Sequence, residues 1–96
     1  MKRYYVYILK CSDSTYYTGV TSDIEKRFTE HKTGKYKGSY TYFRRPVELI
    51  YYAEFKDIDK AIATEKQIKK WSKVKKEALI MGVFDKLPNL AKKKFN

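Results

Sequence analysis

Two side chains that can act on a phosphate, Arg27 and His31, share one face of a predicted helix with the apolar residues Ile24 and Phe28. At about 3.6 residues per turn, spacings of three, four and seven residues place all four on one side. A helix that buries its apolar face therefore turns a guanidinium and an imidazole inward. Arginine can stabilise charge that builds on a phosphate, and histidine can orient or deprotonate a water. The alternative for His31 is a hydrogen-bonded structural histidine.

A carboxylate, Glu65, lies within a second apolar stripe, three residues after Ile62 and three before Ile68. Burying a carboxylate is costly unless it is paired or bound to a cation. One interpretation is structural, with a Lys or Arg partner or a stem that reaches the helix edge. The other is chemical, because one inward carboxylate can hold a divalent metal whose other ligands are water and phosphate.

Two tyrosines, Tyr7 and Tyr17, lie close to the same junction in two successive predicted strands. Core packing is the commoner fate of a tyrosine in a strand, but a hydroxyl at a polar edge can orient a water. Together with Arg27, His31 and Glu65, the tyrosines would form a metal-assisted phosphodiester hydrolase site.

The elements that must position these residues follow from apolar periodicity and turn signals. The strand predicted over 3–10 is apolar on both faces, which indicates a central strand covered on both sides. Ser22 and Glu25 form a capping box that starts a helix near Asp23, and Gly34 ends it. The other predicted elements are a turn over 11–14, a strand over 15–18 that pairs with the first and leaves the sheet at Gly19, a loop over 35–45 with a short helical turn, a strand over 47–55, a helix over 58–70 capped by Asp57, and a helix over 73–81 capped by Ser72 and ended by Gly82.

The length predicts one small domain over residues 1–82, followed by a basic tail over 83–96. The tail contains Pro88 and the run Lys92–Lys94 and is weakly patterned. We expect its end to be loose.

The formal net charge of +11 favours a polyanionic partner. We expect nucleic acid, because the charge is accompanied by stackable aromatic residues, and the alternative is a basic surface that only serves solubility. The nucleic-acid contacts expected from the mixed basic and aromatic stretch are Lys35, Lys37, Tyr40, Arg44 and Arg45. A second basic cluster around Trp71, formed by Lys69, Lys70, Lys73, Lys75 and Lys76, is interpreted as an exposed helix rim.

Several other classes of protein are disfavoured. A single cysteine, Cys11, offers no disulfide and no zinc spacing, which fits a reducing, cytoplasmic location. We find no signal-peptide pattern and no apolar run near the roughly 20 residues that a membrane span needs, so no membrane partner is expected. A P-loop, a G-x-G-x-x-G motif and a nucleophilic triad are missing, and glycosidase chemistry would need a second inward carboxylate.

Read in order, these residues make the chain resemble the GIY-YIG nuclease domain family, in particular its small stand-alone bacterial UPF0213-like members. The resemblance runs from about Arg3 to Ile80. It is carried by Tyr5-Val6-Tyr7 at the first family motif, Tyr17-Thr18-Gly19 at the second, Arg27 eight residues after Gly19, His31 four further on, and the segments Arg45–Leu49 and Glu65–Lys69.

The resemblance implies a three-stranded antiparallel sheet flanked by helices and a one-metal endonuclease. Glu65 would bind Mg²⁺ or Mn²⁺, and Arg27 would stabilise the scissile phosphate. Tyr17 or Tyr7 would activate or position the attacking water, helped by His31. The implied substrate is DNA cut in a structure-directed way, as in DNA repair, with RNA as the alternative.

The sequence departs from the family pattern at three points. Tyr5 precedes Val6 where the first motif has glycine, Thr18 replaces an aliphatic residue, and no late asparagine is placed within the domain. The alternative function is therefore a non-catalytic nucleic-acid-binding module that keeps the fold and the basic face. A third is a protein-interaction domain whose charge only serves solubility.

Overall fold

Three strands and three helices follow one another along residues 2–82, the part of the 96-residue chain that this computed structural model describes. Their bounds are β1 Tyr4–Lys10, β2 Tyr16–Thr21, α1 Ile24–Thr33, β3 Glu48–Phe55, α2 Ile58–Lys69 and α3 Lys73–Met81, with a short 3-10 helix, Tyr42–Arg44, before β3. The α+β class expected from the sequence is confirmed. The predicted tail, with Pro88 and Lys92–Lys94, lies outside the described residues.

β1 is the central strand of an antiparallel sheet whose order is β2-β1-β3. Val6 and Ile8 point to one face, where they are fully buried against apolar residues of α2 and α3. Tyr7 and Leu9 point to the other face and pack with Ile24 and other apolar residues of α1. The apolar residues on both faces of this strand correctly predicted its central position, and α1 and α2 consequently cover opposite faces.

Gly19 remains inside the sheet, so the prediction that the chain leaves the sheet there is wrong. β2 continues to Thr21, and Gly19 pairs directly with Tyr7 of β1. The strand continues because Val20 packs against the core formed with α2 and α3. This longer β2 places the backbone of residue 19 beneath the ring of Tyr7.

The helix ends follow side-chain and glycine caps. α1 begins one residue later than predicted, because Asp23 rather than Ser22 is its N-cap and accepts the Lys26 N–H at 3.1 Å. Aspartate and serine serve this position about equally well. Gly34 ends α1 with a φ of 73°, a conformation that glycine adopts without a Cβ penalty. The caps predicted for the later helices, Asp57, Ser72 and Gly82, are confirmed.

The helices are short, with 10 residues in α1, 12 in α2 and 9 in α3. Crossing a bilayer takes about 20 apolar residues in a helix. Over residues 2–82, no helix has both the length and the apolar character for that.

Candidate active site

His31 of α1 connects the helix to the sheet and to the α1–β3 connection, which comprises residues 34–47. The side chain is 8% exposed. Its Nε2 lies 3.0 Å from the Tyr7 hydroxyl, and its Nδ1 lies 2.8 Å from Thr41 Oγ1. Partners on both ring nitrogens fix the orientation of the imidazole. The inward position expected from the helix spacing is confirmed.

Tyr7 is 1% exposed, and its ring lies directly over the backbone of Gly19. A Cβ at residue 19 would stand 2.5 Å from Tyr7 Cζ and 2.9 Å from Cε1. A fully buried ring cannot move away from such a contact without disturbing the core. The tyrosine of the first motif therefore requires the glycine of the second.

Tyr17 completes the aromatic cluster on its accessible side. Its ring centroid lies 5.1 Å from that of His31 and 6.3 Å from that of Tyr7. Tyr40 stacks on it at 5.8 Å with an interplanar angle of 26°. Because Tyr17 is half-buried whereas Tyr7 is enclosed, Tyr17 is the tyrosine of the two that solvent reaches.

Arg27 lies beside this cluster on α1, with its side chain 42% exposed. Its Nε is 3.2 Å from Glu30 Oε1, and Lys35 Nζ is 3.4 Å from the other oxygen of Glu30. The positive charge of the guanidinium also acts on Tyr7, where it lowers the pKa of the hydroxyl in part. Glu30 thus holds a half-exposed cation next to the aromatic rings.

Glu65 of α2 approaches the same cluster although α2 covers the opposite face of the sheet. The residue is 7% exposed, and its Oε2 lies 2.6 Å from Lys69 Nζ, one helical turn later. Lys69 Nζ in turn lies 5.9 Å from the centre of the Tyr17 ring. The burial expected for Glu65 is confirmed, and so is the lysine partner that the structural interpretation requires.

Burial dominates the ionisation of Tyr7. It raises the pKa of the phenol well above its ordinary value, the charges of Tyr17 and Glu65 raise it further, and Arg27 lowers it in part. Tyr7 is therefore a protonated phenol at neutral pH, and its O–H can donate to an acceptor.

His31 is shifted in the opposite direction from Tyr7. Burial and then the charge of Arg27 lower its pKa below the usual 6.5, while Glu30 opposes this. The imidazole is therefore neutral at pH 7. The arrangement that fits is Tyr7 O–H donating to Nε2 and Nδ1–H donating to Thr41 Oγ1.

A metal at this site would depend on few protein ligands. Among residues 2–82, no group of three or more His, Cys, Asp or Glu side chains could hold a metal ion. Mg²⁺ in phosphate chemistry, however, keeps several waters and uses one or two carboxylates together with substrate phosphates. Glu65 fits that requirement, because it is a buried hard-oxygen donor with a cation, the Lys69 ammonium, already next to one oxygen.

Two of the predicted nucleic-acid contacts, Tyr40 and Arg44, join the cluster. Tyr40 is 41% exposed and stacks on Tyr17. The Arg44 guanidinium lies 4.0 Å from the centre of the Tyr40 ring, donates to the Tyr40 carbonyl at 2.8 Å, and pairs with Asp13 at 3.1 Å. The stack therefore extends outward from the catalytic candidates.

The other three predicted contacts have different surroundings. Lys37 is exposed, and Lys35 pairs with Glu30. Arg45 is half-buried, lies 4.6 Å from the centre of the Tyr42 ring and donates to the Tyr42 carbonyl at 2.8 Å. Lys37 is therefore accessible to a ligand, whereas the Arg45 side chain packs within the α1–β3 connection.

Sequence reasoning missed Thr41 and Glu30. Thr41 is 0% exposed and orients His31, but a threonine among tyrosines in a predicted loop carries no signal for that role. Glu30 lies on the flank of α1, away from its apolar stripe. It is 9% exposed because the α1–β3 connection folds over it, with the Lys35 N–H donating to the Glu30 carbonyl at 3.0 Å.

The second basic cluster is not an exposed rim throughout. Lys75 is 6% exposed, and its Nζ lies 4.4 Å from the centre of the buried Trp71 ring, so that prediction is wrong for Lys75. The lysine stem packs in the angle between α2 and α3. An open cavity of about 700 Å³ beside it is lined by Lys66, Lys70 and neighbours, and none of the candidate catalytic residues lines it.

Comparison with known proteins identifies the family. The profile of the GIY-YIG catalytic domain matches residues 3–78. A UPF0213 protein of Syntrophus aciditrophicus is 49% identical over 80 residues, which are 83% of this chain and 92% of that protein. A UPF0213 protein of Staphylococcus saprophyticus is 44% identical over 80 residues, 83% of this chain and 96% of that protein.

A solved structure shares the fold. The solution NMR structure of a UPF0213 protein from Bacillus halodurans is 38% identical, with a TM-score of 0.55 over 82% of this chain and 83% of that one. It is similar in both sequence and architecture, which supports the topology described above. The chain belongs to the GIY-YIG catalytic domain family, whose members are generally nucleases.

Proposed function

We propose that this protein is a divalent-metal-dependent endonuclease that hydrolyses phosphodiester bonds in nucleic acid. The observation that carries the proposal is the convergence of side chains from four separate elements at one junction. They are Tyr7 from β1, Tyr17 from β2, Arg27 and His31 from α1, and Glu65 from α2. We assign this activity to the domain predicted over residues 1–82.

Arg27 is the proposed phosphate-binding residue. A half-exposed guanidinium can donate in parallel to two phosphate oxygens, and it stabilises the charge that builds there during hydrolysis. Glu30 holds it in place through Nε at 3.2 Å. This preorganisation means that little reorientation is needed when the phosphate arrives.

Tyr17 and His31 are the proposed water-handling residues. The Tyr17 hydroxyl is on the accessible side of the cluster and can orient the attacking water. Neutral His31 can take up a proton through the Tyr7 hydroxyl, which lies 3.0 Å from Nε2. Tyr7 would relay that proton, whereas Thr41 acts only on His31 and is therefore a positioning residue.

Glu65 is the proposed ligand for Mg²⁺ or Mn²⁺. The bound ion would supply positive charge to the phosphate and its leaving oxygen. Lys69 must then move away from Glu65, and a nearby phosphate is a natural new partner for its ammonium.

DNA is the proposed substrate, cut in a structure-directed way as in DNA repair, with RNA as the alternative. The net charge of +11, the exposed Tyr40 that stacks on Tyr17, and the exposed Lys37 of the same connection support a polyanion. Cys11 is a free, buried thiol, which fits a reducing cytoplasmic location.

The second candidate function is a nucleic-acid-binding module without catalysis. The observation that favours it is the 2.6 Å pair with Lys69, which already neutralises Glu65. In that case the basic face binds and the junction only supports the fold.

The test is cleavage of labelled single-stranded, duplex, flapped and branched DNA and RNA with Mg²⁺ or Mn²⁺. Glu65→Gln and EDTA remove the proposed ligand and the metal. Glu48→Gln, at an exposed position of β3, is the control for loss of one negative charge. Cutting that requires both the metal and Glu65 is the expected result. Salt-sensitive binding without cutting of any substrate would establish the binding module instead.

A further inference from the structure

Phe43 is an exposed aromatic residue that the proposed chemistry does not use. It is 87% exposed, at the centre of the short 3-10 helix in the α1–β3 connection. Single exposed apolar residues are normal on protein surfaces and need no explanation. Two features set Phe43 apart from such residues: its support and its electrostatic surroundings.

The residues before and after Phe43 are held in place by contacts with the rest of the domain. Thr41, two residues earlier, is 0% exposed and bonded to His31. Tyr42 packs edge-to-face with the Phe43 ring at 4.7 Å and is itself covered by Arg45 at 4.6 Å. Arg44, the next residue, is tied to Asp13 at 3.1 Å. The ring is therefore held out from the surface rather than carried on a loose loop.

The surroundings are cationic and aromatic. Residues 34–47 contain Lys35, Lys37, Arg44 and Arg45 and no acidic residue. Tyr36 and Tyr40 in the same connection are also exposed, at 53% and 41%. Exposed rings interleaved with cations are the pattern by which proteins stack unpaired bases while binding the phosphate backbone.

The distance to the candidate active site is short. Tyr40 stacks on Tyr17, and Phe43 is three residues further along the chain, which at most spans about 10 Å. A strand with a phosphate at Arg27 and Tyr17 would therefore bring a base a few nucleotides further along within reach of Phe43.

We infer that Phe43 is a stacking platform for an unpaired nucleobase close to the phosphate bound at the junction. The inference deepens the proposed function, on which it rests, because it names the substrate class: nucleic acid with unpaired bases, such as a single strand or a flap. Fully paired duplex has no free base face to offer and gains nothing from this residue.

The test measures binding in EDTA, so that no cleavage is required. The probes are a single strand, a duplex with a single-stranded flap and the matching blunt duplex, each with one 2-aminopurine, whose fluorescence reports stacking. Phe43→Ala is compared with Phe43→Trp, which keeps a stacking ring, and Phe43→Leu, which keeps only apolar character. Val74→Ala on α3 is the matched control, because Val74 is 66% exposed and also has basic neighbours.

We expect Phe43→Ala and Phe43→Leu to weaken binding of the single strand and the flap by about 5- to 150-fold, the range for loss of one base stack. Blunt duplex binding should change less than about twofold, and Phe43→Trp should bind like the wild type. The 2-aminopurine quenching should disappear with the Ala variant. Melting temperatures should stay unchanged, since the ring is almost fully exposed.

Equal affinity of Phe43→Ala and wild type for every probe would overturn the inference, as would an equal loss on the blunt duplex. Failure of the nuclease proposal is a separate result. If binding depends on Phe43 but no substrate is cut with metal, the platform stands and the nuclease does not. If substrates are cut but Phe43→Ala binds and cuts normally, the nuclease stands and the platform does not.

Discussion

Glu30 of α1 and Glu65 of α2 are two buried glutamates whose side chains are each 10% exposed. They differ in the number of cations that pair with the carboxylate. Glu30 has a cation on each oxygen, Arg27 at 3.2 Å and Lys35 at 3.4 Å. Among the described residues, Glu65 has an ion pair with Lys69, on Oε2 at 2.6 Å. The first carboxylate is committed to holding its neighbours, whereas the second has a single cation that another cation can replace.

The difference shows that burial of a carboxylate does not by itself mark a metal ligand. Coulomb attraction offsets the desolvation of both groups, so both are tolerable inside a small domain. What distinguishes them is the number of positive charges present before any ligand arrives. The proposed roles follow: Glu30 positions Arg27, and Glu65 accepts a metal.

The largest expected effect separates the two glutamates directly. Glu65→Gln should reduce cleavage by about 1000-fold or more, because it removes the carboxylate that binds the metal. Glu30→Gln should reduce it by less than about tenfold, because the amide oxygen of the glutamine can still accept from Arg27 Nε and keep the guanidinium positioned. Single-turnover rates on one labelled substrate measure both. Similar losses in the two variants would mean that the comparison does not distinguish a ligand from a support.

The next largest effect concerns Arg27, the residue that Glu30 positions. Arg27→Lys keeps the charge but loses the planar donor pair, so turnover should fall by about 100-fold while substrate affinity changes little. Lys26→Gln, on the same helix and exposed, is the control for a basic residue of α1. A large loss of binding at unchanged turnover would show that Arg27 only holds the backbone of the nucleic acid.

A smaller effect concerns the cations that pair with each glutamate. Lys69→Met removes the ammonium that competes with a metal at Glu65, and it should tighten Mn²⁺ binding without nucleic acid by about tenfold. Lys35→Met removes the equivalent partner of Glu30 and should leave Mn²⁺ binding unchanged. Titration followed by electron paramagnetic resonance of free Mn²⁺ gives both affinities. Equal behaviour of the two methionine variants would refute the assignment of the metal to Glu65.

The smallest effect uses His31, which is the single histidine of the chain and therefore an unambiguous proton NMR signal. Glu30 raises the pKa of His31 against the stronger effects of burial and Arg27. Glu30→Gln should therefore lower that pKa further, and Glu65→Gln should leave it nearly where it was. If Glu65→Gln shifted the pKa of His31 as much as Glu30→Gln does, Glu30 and Glu65 would belong to one coupled site, contrary to their separate proposed roles.

The same titration has a consequence for stability. The pKa of His31 in the folded protein lies below its unfolded value of about 6.5. At a pH between these two values, the unfolded chain binds a proton that the folded chain does not. Stability from this group is present above pH 6.5 and is lost as the pH falls through the folded pKa. Urea unfolding at pH 7 and below 6 should show this loss in the wild type, and His31→Gln should show less of it.

The helices were the most predictable part of the fold. The bounds of α3 and the caps of α2 and α3 agree with the sequence, because periodicity, caps and glycine stops act within a few residues. Asp23 displaced Ser22 as the cap of α1, a choice between two near-equivalent neighbours. The extension of β2 through Gly19 depended on pairing with β1 and was not visible locally.

The sequence by itself determined that His31 on one helix and Glu65 on another are turned inward, whereas Arg27, for which the same spacing predicts an inward position, keeps 42% of its side chain exposed. Their spacing along a helix makes that a local property. The tertiary structure alone decided how they are connected, by the bond from His31 to Tyr7 across 24 residues and to Thr41 across 10. It also buried Glu30 and brought the Lys69 ammonium to 5.9 Å from the centre of the Tyr17 ring. Such contacts depend on how distant segments pack, and packing is a property of the whole fold, which periodicity cannot report.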